Sequence, residues 1–176
     1  MPVYSFTGKD WKMIRKLTRV AIITWVFFMV HLGHGSSLQA QTTGQTIYVP
    51  VYSHIYGGPK SRSLDLTATL SIRNTDLAEP LILTSVRYYD SDGKLVKDYL
   101  EKEQLLGRLA TTHFIVEERD TSGGSGAKFI VQWRSPKPMS PPLVECVMVT
   151  THSGLGISFL SQGRVIADTN KHRSDK

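Results

Sequence analysis

Alternation of apolar and polar side chains over residues 63–74, SLDLTATLSIRN, leaves few folds open to this chain. Successive side chains on a β-strand point to opposite faces of the sheet, so an alternating pattern gives one apolar face and one polar face. The pattern therefore predicts a central strand of a sheet that is packed on one side. Its apolar positions are Leu64, Leu66, Ala68, Leu70 and Ile72.

Seven further segments are rich in β-branched and aromatic residues and are bounded by turn residues, which is typical of short strands. No segment after residue 40 has the apolar periodicity of a helix. About eight short strands predict a mainly β protein, an antiparallel immunoglobulin-like β-sandwich, with a closed barrel as the alternative. The seven segments are residues 46–56, 81–90, 94–100, 111–118, 127–134, 143–152 and 156–166.

Two connections between the predicted strands differ in composition from the strands themselves. Residues 101–107 predict one helical turn or a loop. Residues 135–142, SPKPMSPP, contain four prolines, which lack the backbone N–H that a central strand needs. We expect this second connection to run as an extended arm over the surface.

Residues 1–40 have the composition of an export segment. Five basic residues precede an apolar run over residues 20–30, and Leu38-Gln39-Ala40 is a candidate cleavage site. The run is shorter than the roughly 20 residues that span a membrane, which favours a cleaved signal peptide. Leu38 is a poor residue for cleavage, so an uncleaved anchor over residues 20–32 stays open. We predict an N-terminal signal helix, a domain over residues 41–166 and a disordered tail over residues 167–176.

Assigning residues 1–40 to export changes how the net charge of the chain is interpreted. The chain carries +6, but five of its 21 basic residues and one of its 15 acidic residues lie in residues 1–40. The remainder therefore has a net charge of only +2, which gives no basic surface for nucleic acid. We expect a periplasmic or secreted protein that contacts the membrane only through an uncleaved N-terminal segment. Cys146 is the only cysteine, which excludes an intrachain disulfide, and we expect a buried, inert thiol.

The most suggestive surface feature is a stripe of aromatic residues along one face of residues 46–56. Tyr48, Tyr52, His54 and Tyr56 share this face with Pro50, which favours an edge strand or a bulge. Exposed tyrosines suit contacts with a protein or a glycan, and an edge strand accepts a partner strand. Cross-strand packing under the proline-rich arm is the alternative. The stripe predicts a non-catalytic binding or assembly module of the cell envelope, with a protein or glycan partner.

The competing prediction is a small periplasmic metal-dependent enzyme or hydrolase. It requires His54, His113 or His152 to converge with a carboxylate, or with Cys146, in one pocket. Nothing in the sequence singles out a nucleophile, so we predict no catalytic residue, metal site or cofactor.

Two loops resemble ligand-binding motifs but depart from them. Residues 123–128, GGSGAK, lack the hydroxyl residue and the following helix of a phosphate-binding loop. The turn at Asp90 and Asp92 has its glycine at the fourth position rather than the sixth position of a calcium loop. Plain β connections are the expectation at both places.

Five segments occur in a fixed order along residues 46–166. They are YVPVYSHIY at 48–56, LSIRNTD at 70–76, YYDSDGKLV at 88–96, GGSGAKFIVQW at 123–133 and GISFLSQGRVI at 156–166. Together they resemble a bacterial family of exported proteins, domain of unknown function 3124. The resemblance implies no activity and assigns no functional residue. LGRLATTHFIVEE at 106–118 also resembles the middle of bacterial immunoglobulin-like modules, which supports the fold alone.

Overall fold

The computed structural model describes residues 40–57, 60–150 and 156–168, and its regular structure there consists of twelve β-strands. The signal helix predicted within residues 1–40 and most of the predicted tail lie outside these ranges. The described part of the chain contains no helix with the length and apolarity needed to cross a membrane. The strands are β1 (Thr42–Val51), β2 (His54–Gly57), β3 (Arg62–Asp65), β4 (Thr67–Arg73), β5 (Leu81–Tyr89), β6 (Leu95–Asp98), β7 (Gln104–Leu106), β8 (Thr111–Val116), β9 (Ala127–Met139), β10 (Leu143–Thr150), β11 (Ile157–Gln162) and β12 (Arg164–Asp168).

The strands form two main antiparallel sheets and one small hairpin. The first sheet has the order β12-β1-β9-β5-β6, with β7 also pairing with β5. The second has the order β11-β10-β4-β8, and β2 pairs with β3 alone. The predicted mainly β, antiparallel class is confirmed, and the immunoglobulin-like type stays a prediction. The predicted number of about eight strands is wrong, because several predicted strands are divided and β7 lies where one helical turn or a loop was predicted.

Residues 63–74 behave largely as their alternation predicts. Strand β4 lies inside the second sheet between β10 and β8, and Leu66, Ala68, Leu70 and Ile72 are fully buried. The segment is nevertheless divided at Leu66, whose backbone N–H donates to the carbonyl of Ser53 at 2.9 Å. The residues before Leu66 therefore join the small hairpin, and the residues after it join the second sheet.

The inner faces of both main sheets contribute to one hydrophobic core, which gives a β-sandwich-like arrangement. Its largest fully buried side chains are Tyr88 of β5 and Phe129 of β9, whose ring centroids are 5.0 Å apart. Cys146 and Met148 of β10 lie on the inner face of the second sheet. Their burial follows the alternation of residues 143–150, which points every second side chain inward.

The proline-rich connection is more closely held than the sequence predicts. Strand β9 extends to Met139, which is fully buried and pairs with Thr42. Between that pair and the pair of Gly44 with Arg134 the register shifts, so residues 135–138 lie in an irregular part of the ladder. The prolines there need no ladder hydrogen bond, as expected. After Met139 the prediction of a surface arm is wrong, because Pro141 and Pro142 are buried.

The chain passes from the second sheet to the first between β11 and β12. Gly163 stands at this point, and its backbone N–H donates to the carbonyl of Val144 at 2.8 Å. A Cβ at this position would lie 2.7 Å from Cγ2 of Ile47 and 2.9 Å from the Val144 carbonyl oxygen. Only glycine allows the crossing strand to approach β1 and β10 this closely.

Replacing Gly163 by alanine should therefore destabilise the domain. We expect Gly163→Ala to lower the free energy of unfolding by about 1–3 kcal/mol, since the added methyl group overlaps fixed backbone. Gly107→Ala is the matched control, because a Cβ there has no neighbour within 4 Å. Urea unfolding curves of both variants test this, and equal midpoints would contradict the packing argument.

Polar side chains after β4 hold one end of the sandwich together. The Asn74 side-chain amide donates to the carbonyls of Glu79 at 2.9 Å, Gly107 at 3.0 Å and Leu106 at 3.4 Å. Its side-chain oxygen accepts the backbone N–H of Asp76 at 2.9 Å. Asn74 therefore ties the β4–β5 connection to the turn that precedes β8.

Asp76 connects the same loop to the end of the proline-rich connection. One carboxylate oxygen accepts the N–H groups of Ala78 at 2.8 Å and Glu79 at 2.9 Å, and the other accepts that of Ser140 at 2.8 Å. These bonds, that from Glu79 foremost, lower the pKa of the Asp76 carboxyl below its ordinary value of 3.8. Folding therefore favours the ionised form of the Asp76 carboxyl.

A group with a lowered pKa contributes stability above its ordinary pKa and loses it as the pH falls through the lowered value. We expect Asp76→Asn to lower the melting temperature at neutral pH by on the order of 5–10 °C. As the pH falls below 3.8 and through the lowered pKa, the difference from the parent chain should shrink, because the parent carboxylate is then being protonated. Asp92→Asn is the control at an exposed loop, and a difference that grows on acidification would refute the assignment.

Candidate functional site

The residues of the predicted aromatic stripe lie in three different parts of the structure. Tyr48 lies on the outer face of β1, within the first sheet. Tyr52 follows the end of β1, and its ring meets that of Phe159 edge to face with centroids 5.7 Å apart. His54 and Tyr56 belong to the β2–β3 hairpin. The residues keep their outward alternation, but they do not form the single strand face that the sequence predicts.

His54 is engaged by its neighbours in the hairpin. Its Nε2 lies 3.0 Å from the Tyr56 hydroxyl, and its Nδ1 lies 3.3 Å from Oγ of Ser53. The Ser53 hydroxyl also lies 3.0 Å from the carbonyl oxygen of Gly124, a possible acceptor. Ser53 is fully buried, and this geometry does not present it as a nucleophile.

The other histidines of the enzyme hypothesis do not join this group. His113 lies on β8, at the edge of the second sheet, with an exposed side chain opposite Ser71. His152 lies outside the described residues. Over residues 40–57, 60–150 and 156–168, no three His, Cys, Asp or Glu side chains are placed to hold a metal ion.

Two open grooves flank the crossing from β11 to β12. The first, which we call the Tyr48 groove, has a volume of about 690 Å³. Strand β1 contributes one wall through two residues of the predicted stripe, and β11 and β12 contribute the other. Its lining residues are Tyr48, Pro50, Gln162, Arg164, Val165 and Ile166.

The second groove, which we call the Gln45 groove, has a volume of about 430 Å³. The buried prolines at the end of the proline-rich connection form part of its wall, together with the start of β10. The two grooves share Gln162 and Val165, so the structure brings the predicted stripe and the predicted arm to the same two strands. The other residues of the second groove are Gln45, Ile47, Thr75, Pro141, Pro142, Leu143, Val144 and Gly163.

Strand β12 forms the outer edge of the first sheet beside both grooves. It pairs with β1 on one side, and no other strand of the described chain pairs with its second side. The side chains of Val165 and Ile166 are 40% and 56% exposed. The sequence favours an edge strand or a bulge at Pro50. β1 as a whole is not an edge strand, because β9 and β12 flank it, and its register with β9 is regular at Pro50. Pro50 nevertheless lies beyond Tyr48, the last β1 residue in register with β12.

Two buried polar atoms near the second groove were not apparent from the sequence. Nε2 of Gln45 donates to Oδ2 of Asp168 at 3.2 Å, whereas its Oε1 is buried without a protein partner. Trp133 is the cross-strand neighbour of Gln45, and its Nε1–H is likewise buried without a partner. An unpaired acceptor and an unpaired donor thus occur on adjacent strands. Amphipathic alternation predicts their burial but not their hydrogen-bonding partners.

The two loops that resemble ligand motifs make hydrogen bonds within the protein. The Asp90 carboxylate accepts the N–H groups of Asp92 at 3.0 Å and Lys94 at 2.8 Å, as in an ordinary hairpin turn. The carbonyl of Gly123 accepts both the N–H of Ser91 at 3.0 Å and its hydroxyl at 3.2 Å. A Cβ on Gly123 would overlap the Tyr88 hydroxyl, so this glycine is required for packing.

A smaller polar pocket of about 300 Å³ lies beside β6, at the edge of the first sheet opposite β12, and is also lined by Ile115 of β8. The Lys97 ammonium lies 4.4 Å from the centroid of the Tyr99 ring, and the Tyr99 hydroxyl donates to the carbonyl of Ile115 at 3.0 Å. Burial, followed by the negative charge of Asp120, raises the pKa of Tyr99 to about 12. Lys97 thus lines this pocket together with Glu117 and Asp120.

Cys146 is the remaining candidate reactive group. Its side chain is fully buried, and this burial raises the pKa of the thiol to about 12. Because the thiolate is the reactive form, a buried thiol with a raised pKa is inert. This agrees with the expected inert thiol.

A thiol reagent should therefore modify Cys146 only when the domain unfolds. We expect reaction in the folded chain to be at least about a hundredfold slower than in guanidinium, with little increase between pH 7 and 9. Leu95→Cys provides an exposed thiol as the control, and its rate should rise with pH. Fast, pH-dependent reaction of the parent chain would contradict the burial.

Comparison with known proteins gave one family and one solved structure. The sequence profile of the family described as Protein of unknown function (DUF3124) matches residues 44–166. A search of curated proteins gave no match. The crystal structure of Thermotoga maritima 1070 is similar at 13% sequence identity and a TM-score of 0.44, covering 71% of this chain and 97% of that chain. At that TM-score the similarity supports no conclusion about function.

Proposed function

This chain belongs to the family of proteins of unknown function DUF3124, and we propose that it is a non-catalytic, immunoglobulin-like binding module of the cell envelope. Residues 1–40 export it, and strand β12 holds a protein partner in an extended conformation. A glycan on the tyrosine-bearing surface is the second candidate ligand. No described histidine makes the contacts that the enzyme alternative requires.

The observation that carries this proposal is an edge strand flanked by two grooves. An added strand would pair with β12 through backbone hydrogen bonds, and its side chains would alternate between the two faces of the sheet. Val165 of β12 lines both the Tyr48 groove and the Gln45 groove. Backbone pairing supplies affinity in such complexes, and the pockets supply specificity.

Charge favours one class of partner segment. Arg164 is exposed at the start of β12 and makes none of the four ion pairs found in the described chain. A carboxylate on the partner would form a charge-assisted hydrogen bond with its guanidinium group. The preferred partner is therefore an extended segment with apolar residues and at least one acidic residue.

The glycan alternative depends on a different part of the same surface. Tyr48 presents a ring to the first groove, and rings of this kind bind the apolar faces of sugars as well as proteins. Val165 and Ile166 on the opposite wall favour an apolar side chain over a polyhydroxylated ligand. The protein partner is therefore the first candidate.

We expect Ile166→Lys to weaken partner binding about 10–100-fold, because burying an isoleucine side chain contributes about 1.5–3 kcal/mol. Leu95→Lys is the matched control, since Leu95 is 47% exposed on β6 at the opposite edge of the same sheet. A photo-crosslinking residue at position 166 of the full chain, in its native envelope, identifies the partner. The affinities of the parent chain and of both variants are then measured by titration with that partner.

Three outcomes of this experiment are distinct. A discrete protein adduct at position 166 and none at position 95 supports the proposal. Equal adducts from both positions, or no adduct at all, would refute binding at β12. A melting-temperature increase with cell-wall glycans that Tyr48→Ala removes would favour the glycan instead.

A further inference from the structure

The Gln45 groove is lined by a buried amide that uses only part of its hydrogen-bonding capacity. Gln45 is 8% exposed, and its Nε2 donates to Oδ2 of Asp168 at 3.2 Å. Its Oε1 has no protein partner. Buried polar atoms in folded proteins are generally paired, because burial of an unpaired acceptor costs free energy. An unpaired acceptor on the wall of an open groove is therefore suited to a hydrogen bond from a ligand.

A buried donor lies beside this acceptor on the neighbouring strand. Trp133 of β9 is directly opposite Gln45 in the ladder between β1 and β9, and it is 3% exposed. Its Nε1–H has no protein partner. Three buried side-chain nitrogen or oxygen atoms lack a partner within the described ranges, and two of them belong to this facing pair. A ligand group that both donates and accepts would complement the pair.

The lining of the Gln45 groove excludes a charged ligand group. None of its ten residues is charged, and most of the wall is apolar. Thr75 is polar, but its hydroxyl donates to the carbonyl of Pro141 at 2.8 Å. A charged group would lose its hydration in this groove without an opposite charge in the lining, and a carboxylate has no proton to donate to Gln45. The groove therefore selects an uncharged polar group on an apolar stem.

The distance from the free side of β12 determines how long that stem must be. Neighbouring strands lie about 4.7–4.9 Å apart, so a strand added to β12 would run roughly 10 Å from β1. Gln45 covers part of this distance, since its side chain reaches Asp168 at the end of β12. A serine or threonine hydroxyl lies too close to its own backbone to cover the rest. The carboxamide of asparagine or glutamine extends further and carries both donors and an acceptor.

We propose that the Gln45 groove binds a carboxamide side chain, asparagine or glutamine, of the strand that pairs with β12. Its N–H donates to Oε1 of Gln45, and its oxygen accepts Nε1–H of Trp133. This inference rests on the proposed function, because the strand at β12 carries the carboxamide. Arg164 lines the Tyr48 groove on the outer face of the sheet. The acidic residue and the carboxamide residue of the partner are therefore separated by an odd number of positions.

The test compares two small molecules of matched shape on the purified full chain with isotope-labelled tryptophan. Isobutyramide donates and accepts hydrogen bonds, whereas methyl isopropyl ketone only accepts them. The indole N–H resonance of Trp133 reports binding, and Trp11→Phe and Trp25→Phe identify it among the three tryptophans. We expect isobutyramide to shift this resonance saturably and to bind about tenfold more tightly than the ketone, because only the amide pairs with Gln45.

A substitution at Gln45 tests the acceptor itself. Gln45→Met keeps the length of the side chain and removes the acceptor, so it should weaken isobutyramide binding about tenfold. Gln132→Met, on the exposed outer face of β9, is the matched control and should leave binding unchanged. Melting temperatures show that both variants fold. The comparison of amide and ketone uses the parent chain, so it does not depend on the folding of Gln45→Met.

Equal affinity for the amide and the ketone, or no shift with either, would overturn the inference, since the two buried atoms would then bind water alone. Isobutyramide binding that persists in Gln45→Met would also overturn it. These measurements need no partner and are separate from the crosslinking test of β12. A crosslinked strand without asparagine or glutamine at the required spacing refutes the carboxamide and leaves strand pairing intact. Absence of an adduct at position 166 refutes strand pairing, whatever the small molecules show.

Discussion

The close approach of Gly163 to Val144 and Ile47 determines the arrangement on which the rest of this structure depends. Because glycine carries no side chain, the chain can leave β11, which pairs with β10, and enter β12, which pairs with β1, while the two sheets stay in contact. One side of the sandwich is closed by this direct connection from β11 to β12. The same crossing leaves β12 as an outer edge and forms a groove on each of its flanks. The proposed partner site is therefore a consequence of how the fold is closed.

A network of hydrogen bonds around Asn74 and Asp76 organises the end of the sandwich where β1 begins. Asn74 and Asp76 bond to backbone groups of three segments, namely the β4–β5 connection, the end of β7 with the following turn, and the end of the proline-rich connection. These bonds hold the three segments in one arrangement without a strand ladder between them.

Much of the fold was predictable from alternation. Leu66, Ala68, Leu70 and Ile72 are buried as their spacing requires, because β4 has a single apolar face. The strand count was not predictable, since Leu66 and Gly163 divide continuous β patterns through contacts with distant residues. The burial of Pro141 and Pro142 depends on hydrogen bonds from Thr75 and to Asp76, which only the tertiary structure brings together.

The candidate site was predictable in part. Tyr48 and Pro50 do line a groove, but its other wall comes from β12, which is more than 110 residues away in sequence. The division of the stripe after Val51 follows from the β2–β3 hairpin, and a run of alternating residues contains no sign of such a change of sheet. The composition of residues 46–56 thus identifies a surface without showing what completes it.

Amide hydrogen exchange of β12 with and without the crosslinked partner tests the central claim most directly. Free β12 has unpaired outward amides that exchange quickly, and strand addition would protect them. We predict slower exchange on partner binding over Arg164–Asp168, with little change in β6 at the opposite edge. Unchanged exchange in β12 while the partner is bound would contradict it.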